Sequence, residues 1–111
     1  VIPLIQKLIV GYKLWHEYLA YFPKTSRYNL GSKIDYYFTE TIENVFIASH
    51  RNKDQKLVYL TKASDKFDLV KFFLQIAWEI RSMDNKKYIA LSQDLNQIGK
   101  MLGGWIKQQP R

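Results

Sequence analysis

Apolar residues recur along this chain at alternating steps of three and four, in four successive stretches separated by short polar breaks. Such spacing puts one apolar stripe on a helix with 3.6 residues per turn. Pro3 suits a first helical turn, where its missing N–H would have no partner anyway. From there Ile5, Leu8, Ile9, Tyr12, Trp15, Leu19 and Phe22 predict a first helix of about twenty residues, ended by Pro23. Thr25 or Ser26 is placed to cap a second helix by accepting a bond from a free backbone N–H, and Leu30, Ile34, Tyr37, Phe38, Ile42, Val45 and Ala48 trace its apolar face. His50 to Lys53 breaks the pattern. Asp54 then offers a cap for a third helix bearing Leu57, Leu60, Phe67, Val70, Leu74 and Ala77 and running to about Met83, roughly 45 Å at 1.5 Å per residue. Asp84 or Asn85 caps a fourth, whose seam is Tyr88, Leu91, Leu95, Ile98, Leu102 and Trp105.

No strand alternation, internal repeat, low-complexity segment or domain linker interrupts these stretches. Short connections make sequential helices antiparallel, so the expected fold is all-α, an antiparallel up-down-up-down four-helix bundle forming a single domain over residues 1–111. Gly99 and Gly103 lie one turn apart beside the fourth seam, where each costs about 1 kcal/mol relative to Ala. Close approach of another backbone would offset that loss. The alternative is a helix fraying into a tail at Gly103-Gly104, against which stands the apolar pair Trp105-Ile106 beyond it. A smooth helix surface next to a large ring makes Gly99, Gly103 and Trp105 the candidate oligomer interface.

A chain of 111 residues, 47% hydrophobic and 15% aromatic, can fill one modest core. Seventeen Lys and Arg against ten Asp and Glu give a formal charge of +7, which favours an acidic partner such as nucleic acid. With no Cys, disulfides, thiolate metal sites and a Cys nucleophile are excluded, in keeping with a reducing cytoplasm. No apolar run approaches the roughly 18 residues that a membrane span needs, and the N-terminal residues lack a signal-peptide pattern, so a soluble, unexported protein is expected. The first residue is Val1 rather than Met, which leaves room for native residues before it.

Catalytic chemistry finds little footing. His16 and His50 fall on different helices without a carboxylate at metal-ligand spacing, so no metal or other cofactor is expected. Glu40 and Glu43 share a helix face, but carboxylates so placed are usually solvated or met by a basic neighbour. Gly103-Gly104 lacks the Lys-Ser/Thr step of a phosphate loop. An enzyme is therefore the least favoured class.

The basic residues say more. Arg51, Lys53 and Lys56 cluster at the second break, and Lys62 and Lys66 continue along the third helix, a patch suited to phosphates unless it is simply a solvated face diluted by Asp54, Asp65 and Asp68. Lys71 and Arg81 fall on one helical line with Phe67, Leu74 and Trp78. Charges beside an apolar seam either line a hydrated channel between subunits or snorkel to the edge of a monomer's core.

Gly99-Lys-Met-Leu-Gly-Gly-Trp-Ile106 resembles the C-terminal signature of the accessory variability determinants of diversity-generating retroelements, and Phe22-Pro-Lys-Thr-Ser-Arg-Tyr-Asn-Leu-Gly31 resembles that family's turn between its first two helices. The two blocks stand in the right order and distance across nearly the whole chain. The resemblance implies a cytoplasmic, bacterial or phage-encoded homopentamer of four-helix bundles. It further implies binding to the retroelement's reverse transcriptase and its template-repeat RNA, supporting mutagenic cDNA synthesis without catalysis. A basic residue at the position of Lys71 is usual in the family; where a second often follows one turn later, this chain has Gln75. The rival reading is a structural or protein-interaction bundle with no direct nucleic-acid role. Stoichiometric RNA binding separates the two.

Overall fold

The computed structural model describes residues 2–110, in which four long helices account for most of the chain: α1 Ile2–Leu19, α2 Ser32–Ser49, α3 Lys53–Glu79 and α4 Asn85–Lys107. Helices α2 and α3 are joined by three residues, which span at most about 10 Å, whereas an 18-residue helix is about 27 Å long. The chain must therefore fold back between α2 and α3. Each helix packs on its sequence neighbours, and α1 also meets α4, which closes an antiparallel up-down-up-down four-helix bundle measuring 43 × 22 × 19 Å.

The core is the set of positions at which the four stripes meet. Leu8 and Trp15 from α1, Ile34, Phe38 and Val45 from α2, Leu60, Phe67 and Val70 from α3, and Leu91 and Ile98 from α4 are all buried. Trp15 meets the ring of Phe22 edge-on at 5.5 Å. Burying each such side chain is worth about 1.5–3 kcal/mol. A glycine permits a tight contact between α1 and α4: a Cβ on Gly11 would stand 3.1 Å from Ile98 Cδ1, so the bare backbone lets the two helices close.

The helix ends depart from the expected ones in ways that have physical causes. Helix α1 stops at Leu19, three residues early, and Pro23 begins a short helical turn, Lys24–Ser26, followed by a turn of π-helix, Arg27–Gly31. Neither Thr25 nor Ser26 acts as the expected cap. Instead the Arg27 guanidinium donates to the carbonyls of Ala20 (3.0 Å) and Phe22 (2.8 Å), supplying donors to carbonyls left free just past the end of α1. The buried Ser26 hydroxyl lies 2.7 Å from that of Ser82, which ties this turn to the α3–α4 connection. At the start of α3 the capping position is Asn52, not Asp54, which lies in the first turn.

Helix α3 ends at Glu79 rather than Met83. The Ser82 N–H reaches back to the Ala77 carbonyl (2.8 Å) and the Arg81 N–H to that of Trp78 (3.0 Å), with Arg81 at φ 65°. This is a Schellman turn with arginine in the position glycine usually takes. At the start of α4 the expected cap is present: Asp84 accepts from the Lys87 N–H at 2.8 Å.

Candidate nucleic-acid interface

The seven candidate basic residues, five expected in one patch and Lys71 and Arg81 beside the apolar seam, are divided by the geometry of α3. At about 100° per residue, Lys62 and Lys66 point to the α2 side of the helix and Lys71 to the α4 side. On the α2 side the Arg51 guanidinium (5.4 Å) and the Lys62 ammonium (5.1 Å) both lie over the Tyr59 ring, and Lys66 lies over Tyr37 at 5.5 Å. Tyr37 stacks on Phe73, which Lys33 covers at 5.2 Å. Each such contact is worth about 0.5–1 kcal/mol at an exposed site. The cations here are laid along the hairpin's own rings, and Glu40, Glu43 and Asp65 share the hollow that Lys62 and Lys66 line.

Lys53 lines a neighbouring hollow with Val58 and Thr61, while Lys56 is half-buried beside it in sequence. Lys71 snorkels: its ammonium sits over Phe67 at 5.2 Å and 3.6 Å from Asp68, with 44% of the side chain exposed, at a hollow it shares with Tyr88, Ser92 and Asn96 of α4. Arg81 is not on the helical line at all. It occupies the α3–α4 turn, at a hollow lined also by Trp78, Glu79 and Asn85, where Trp78 stacks on Tyr88 at 4.9 Å.

The candidate oligomer residues divide likewise. A Cβ on Gly99 would touch Phe67 of α3 at 3.5 Å, an ordinary contact, whereas Trp105 lies on the opposite flank, at a hollow with Pro3 and Leu4 of α1. Among the described residues, nothing lies within 4 Å of a Cβ on Gly103 or Gly104, so no described backbone closes on them.

The more telling feature is where charge fails to cancel. Between Ser32 and Glu79, seven Lys and Arg stand against seven Asp and Glu, so the α2–α3 hairpin is neutral. The whole formal +7 lies in the other residues, which hold ten Lys and Arg against three Asp and Glu. Helix α4 carries four lysines and one carboxylate, Asp94. Basic residues close together in the chain do not reveal this imbalance; the net charge of each helix does.

Burial, then the hydrogen bond to Asp35 and its negative charge, push Tyr12 up to about 12. Tyr12 Oη and Trp15 Nε1 both donate to Asp35 Oδ1, at 2.8 and 3.1 Å, which clasps α1 to α2. The Lys87 backbone N–H and then its ammonium hold Asp84 below the usual carboxylate range, and the same ammonium is raised in return. Among the described residues, no group of three or more His, Asp or Glu is placed to hold a metal ion, and no helix is long and apolar enough to cross a membrane.

Fold and charge together define a basic four-helix bundle whose uncancelled charge is confined to α1, the turns and α4. A family model described as bAvd-like matches residues 4–109, nearly the whole length, and the chain belongs to that family, the bacterial accessory variability determinants. No curated protein matches it.

Proposed function

We propose that this chain is the non-catalytic accessory protein of a diversity-generating retroelement, binding the reverse transcriptase and the template-repeat RNA in the cytoplasm and acting as a homo-oligomer, with five copies as the first expectation. The observation that carries the reading is the family match over residues 4–109, to which the uncancelled positive charge on one side of the bundle adds a physical basis for RNA contact. Neither catalytic groups nor a cofactor enter this role. A neutral hairpin with exposed aromatic residues, Tyr36, Phe46 and Phe72, suits a protein partner, and the polymerase is assigned to that side.

The test is co-purification of the protein with its reverse transcriptase in the presence and absence of template RNA, followed by titration with labelled RNA at physiological salt. A stoichiometric ternary complex is expected. Binding to the polymerase with no measurable RNA affinity in either state would leave the protein-interaction bundle as the correct account.

A further inference from the structure

One face of α4 combines an uncancelled charge with an unexplained glycine. Lys86, Ile89, Gln93, Gln97, Lys100, Gly104 and Lys107 follow each other at steps of three and four, all exposed, on the side of the helix opposite Leu91, Leu95, Ile98 and Leu102. No carboxylate falls on this line, and Asp94 sits about 100° away from it. The two ion pairs among the described residues, Lys71–Asp68 and Lys87–Asp84, leave Lys86, Lys100 and Lys107 unpaired. Between them stand the amides of Gln93 and Gln97, neutral groups that donate hydrogen bonds without adding or removing charge. The line is about 31 Å long, from 21 residues at 1.5 Å each.

Gly104 adds a constraint from outside the chain. Glycine is among the weakest helix formers, and among the described residues nothing lies within 4 Å of where the Cβ of Gly104 would be. Nothing described in the monomer therefore accounts for the missing side chain. Glycine is favoured where a ligand must come close to the backbone.

We propose that this outer line of α4 is the surface that tracks the RNA backbone, with Lys86, Lys100 and Lys107 on phosphates, Gln93 and Gln97 on phosphate or sugar oxygens, and Gly104 at the point of closest approach. The inference rests on the RNA-binding reading above and places that contact on α4 instead of on the α2–α3 hairpin, where the sequence clustered its basic residues. On the hairpin, carboxylates equal the basic residues in number and rings lie under Arg51, Lys62 and Lys66; on the α4 line Lys86, Lys100 and Lys107 have neither an ion pair nor a ring among the described residues. Contacts of this kind carry affinity and salt dependence but no base sequence.

The experiment compares two triple variants that lose the same charge. One is Lys86→Ala, Lys100→Ala, Lys107→Ala; the other is Lys53→Ala, Lys62→Ala, Lys66→Ala. A fluorescein-labelled RNA stem-loop is titrated by anisotropy at several salt concentrations, and circular dichroism checks helicity. The α4 triple should bind at least tenfold more weakly, with the log-log salt slope flattened by about 2 to 3 units. The hairpin triple should lose less than threefold. Gly104→Leu, which keeps every charge, should weaken RNA binding severalfold while melting no lower than wild type.

Equal losses in the two triples would overturn the inference, because net charge alone would then explain binding. So would a Gly104→Leu variant that dissociates the oligomer in light scattering at unchanged RNA affinity, since the line would then be a self-contact. Inorganic polyphosphate, titrated in parallel, separates this inference from the reading it rests on. If wild type binds polyphosphate through the α4 line but binds no RNA, the RNA reading fails and the polyanion surface stands; if it binds neither, both fail.

Discussion

Glycines show how a residue's meaning depends on what faces it. The sequence drew attention to Gly99 and Gly103 because they lie beside an apolar seam, yet the glycines hemmed in by their own chain are Gly11 and Gly31. At Gly31 a Cβ would fall 2.6 Å from Leu19 Cδ1, and at Gly11 it would crowd Ile98 and Phe38 in the core. Those contacts join residues up to 87 positions apart and leave no local pattern to read. Gly11→Val should cost about 1–3 kcal/mol in urea unfolding, the usual result of overpacking. Gly104→Ala should do the reverse and add up to about 1 kcal/mol, because it gains helix propensity and meets nothing. Arg81 is the counterpart case, a long side chain where glycine belongs. Arg81→Gly should raise stability by roughly 1 kcal/mol by relieving φ 65°, and a thermal melt several degrees higher would report it.

Helix boundaries were legible in part: Asp84 caps α4 as expected, whereas α1 stops at Leu19, ahead of Pro23, and Asn52 rather than Asp54 holds the capping position of α3. The end of α3 was overrun by four residues because no glycine announces the Schellman turn. Inter-element polar ties were not legible, because nothing in the spacing of Tyr12, Trp15 and Asp35, or of Ser26 and Ser82, says that they meet. The α1–α2 clasp gives a pH signature. The Tyr12 phenol has a folded pKa of about 12 against an ordinary value of 10.0, so its contribution is fully present below pH 10. Between pH 10 and 12 the unfolded chain gives up this proton first, and stability falls. Urea midpoints across that window should drop more for wild type than for Tyr12→Phe; parallel curves would mean that Tyr12 titrates normally. For the Ser26–Ser82 tie, a double-mutant cycle with alanine should give a coupling of about 1 kcal/mol, since both hydroxyls are buried at 2.7 Å.

At the scale of the whole molecule, the bundle was readable from its four apolar stripes, because packing demands that each stripe find a partner. The candidate site was not readable in the same way. Surface charge is additive over a face, and proximity in sequence scatters residues around a helix: Lys62 and Lys71 are nine positions apart and point to opposite sides. Assembly poses the same problem one level up. Gly103 is half-buried on the flank of α4 between the core stripe and the lysine line, with nothing among the described residues within 4 Å of a Cβ. The Cβ of a leucine there would meet nothing among the described residues, and leucine improves helix propensity, so the monomer should be at least as stable as wild type. Any loss of assembly must then come from another copy of the chain. Light scattering should give a multiple of the 13.2 kDa chain mass for wild type, with five copies expected, and a shift toward the single-chain mass for Gly103→Leu at an undiminished melting temperature. A wild-type mass of one chain across micromolar concentrations would refute the oligomer, and an unchanged multiple in the variant would move the interface off this flank of α4.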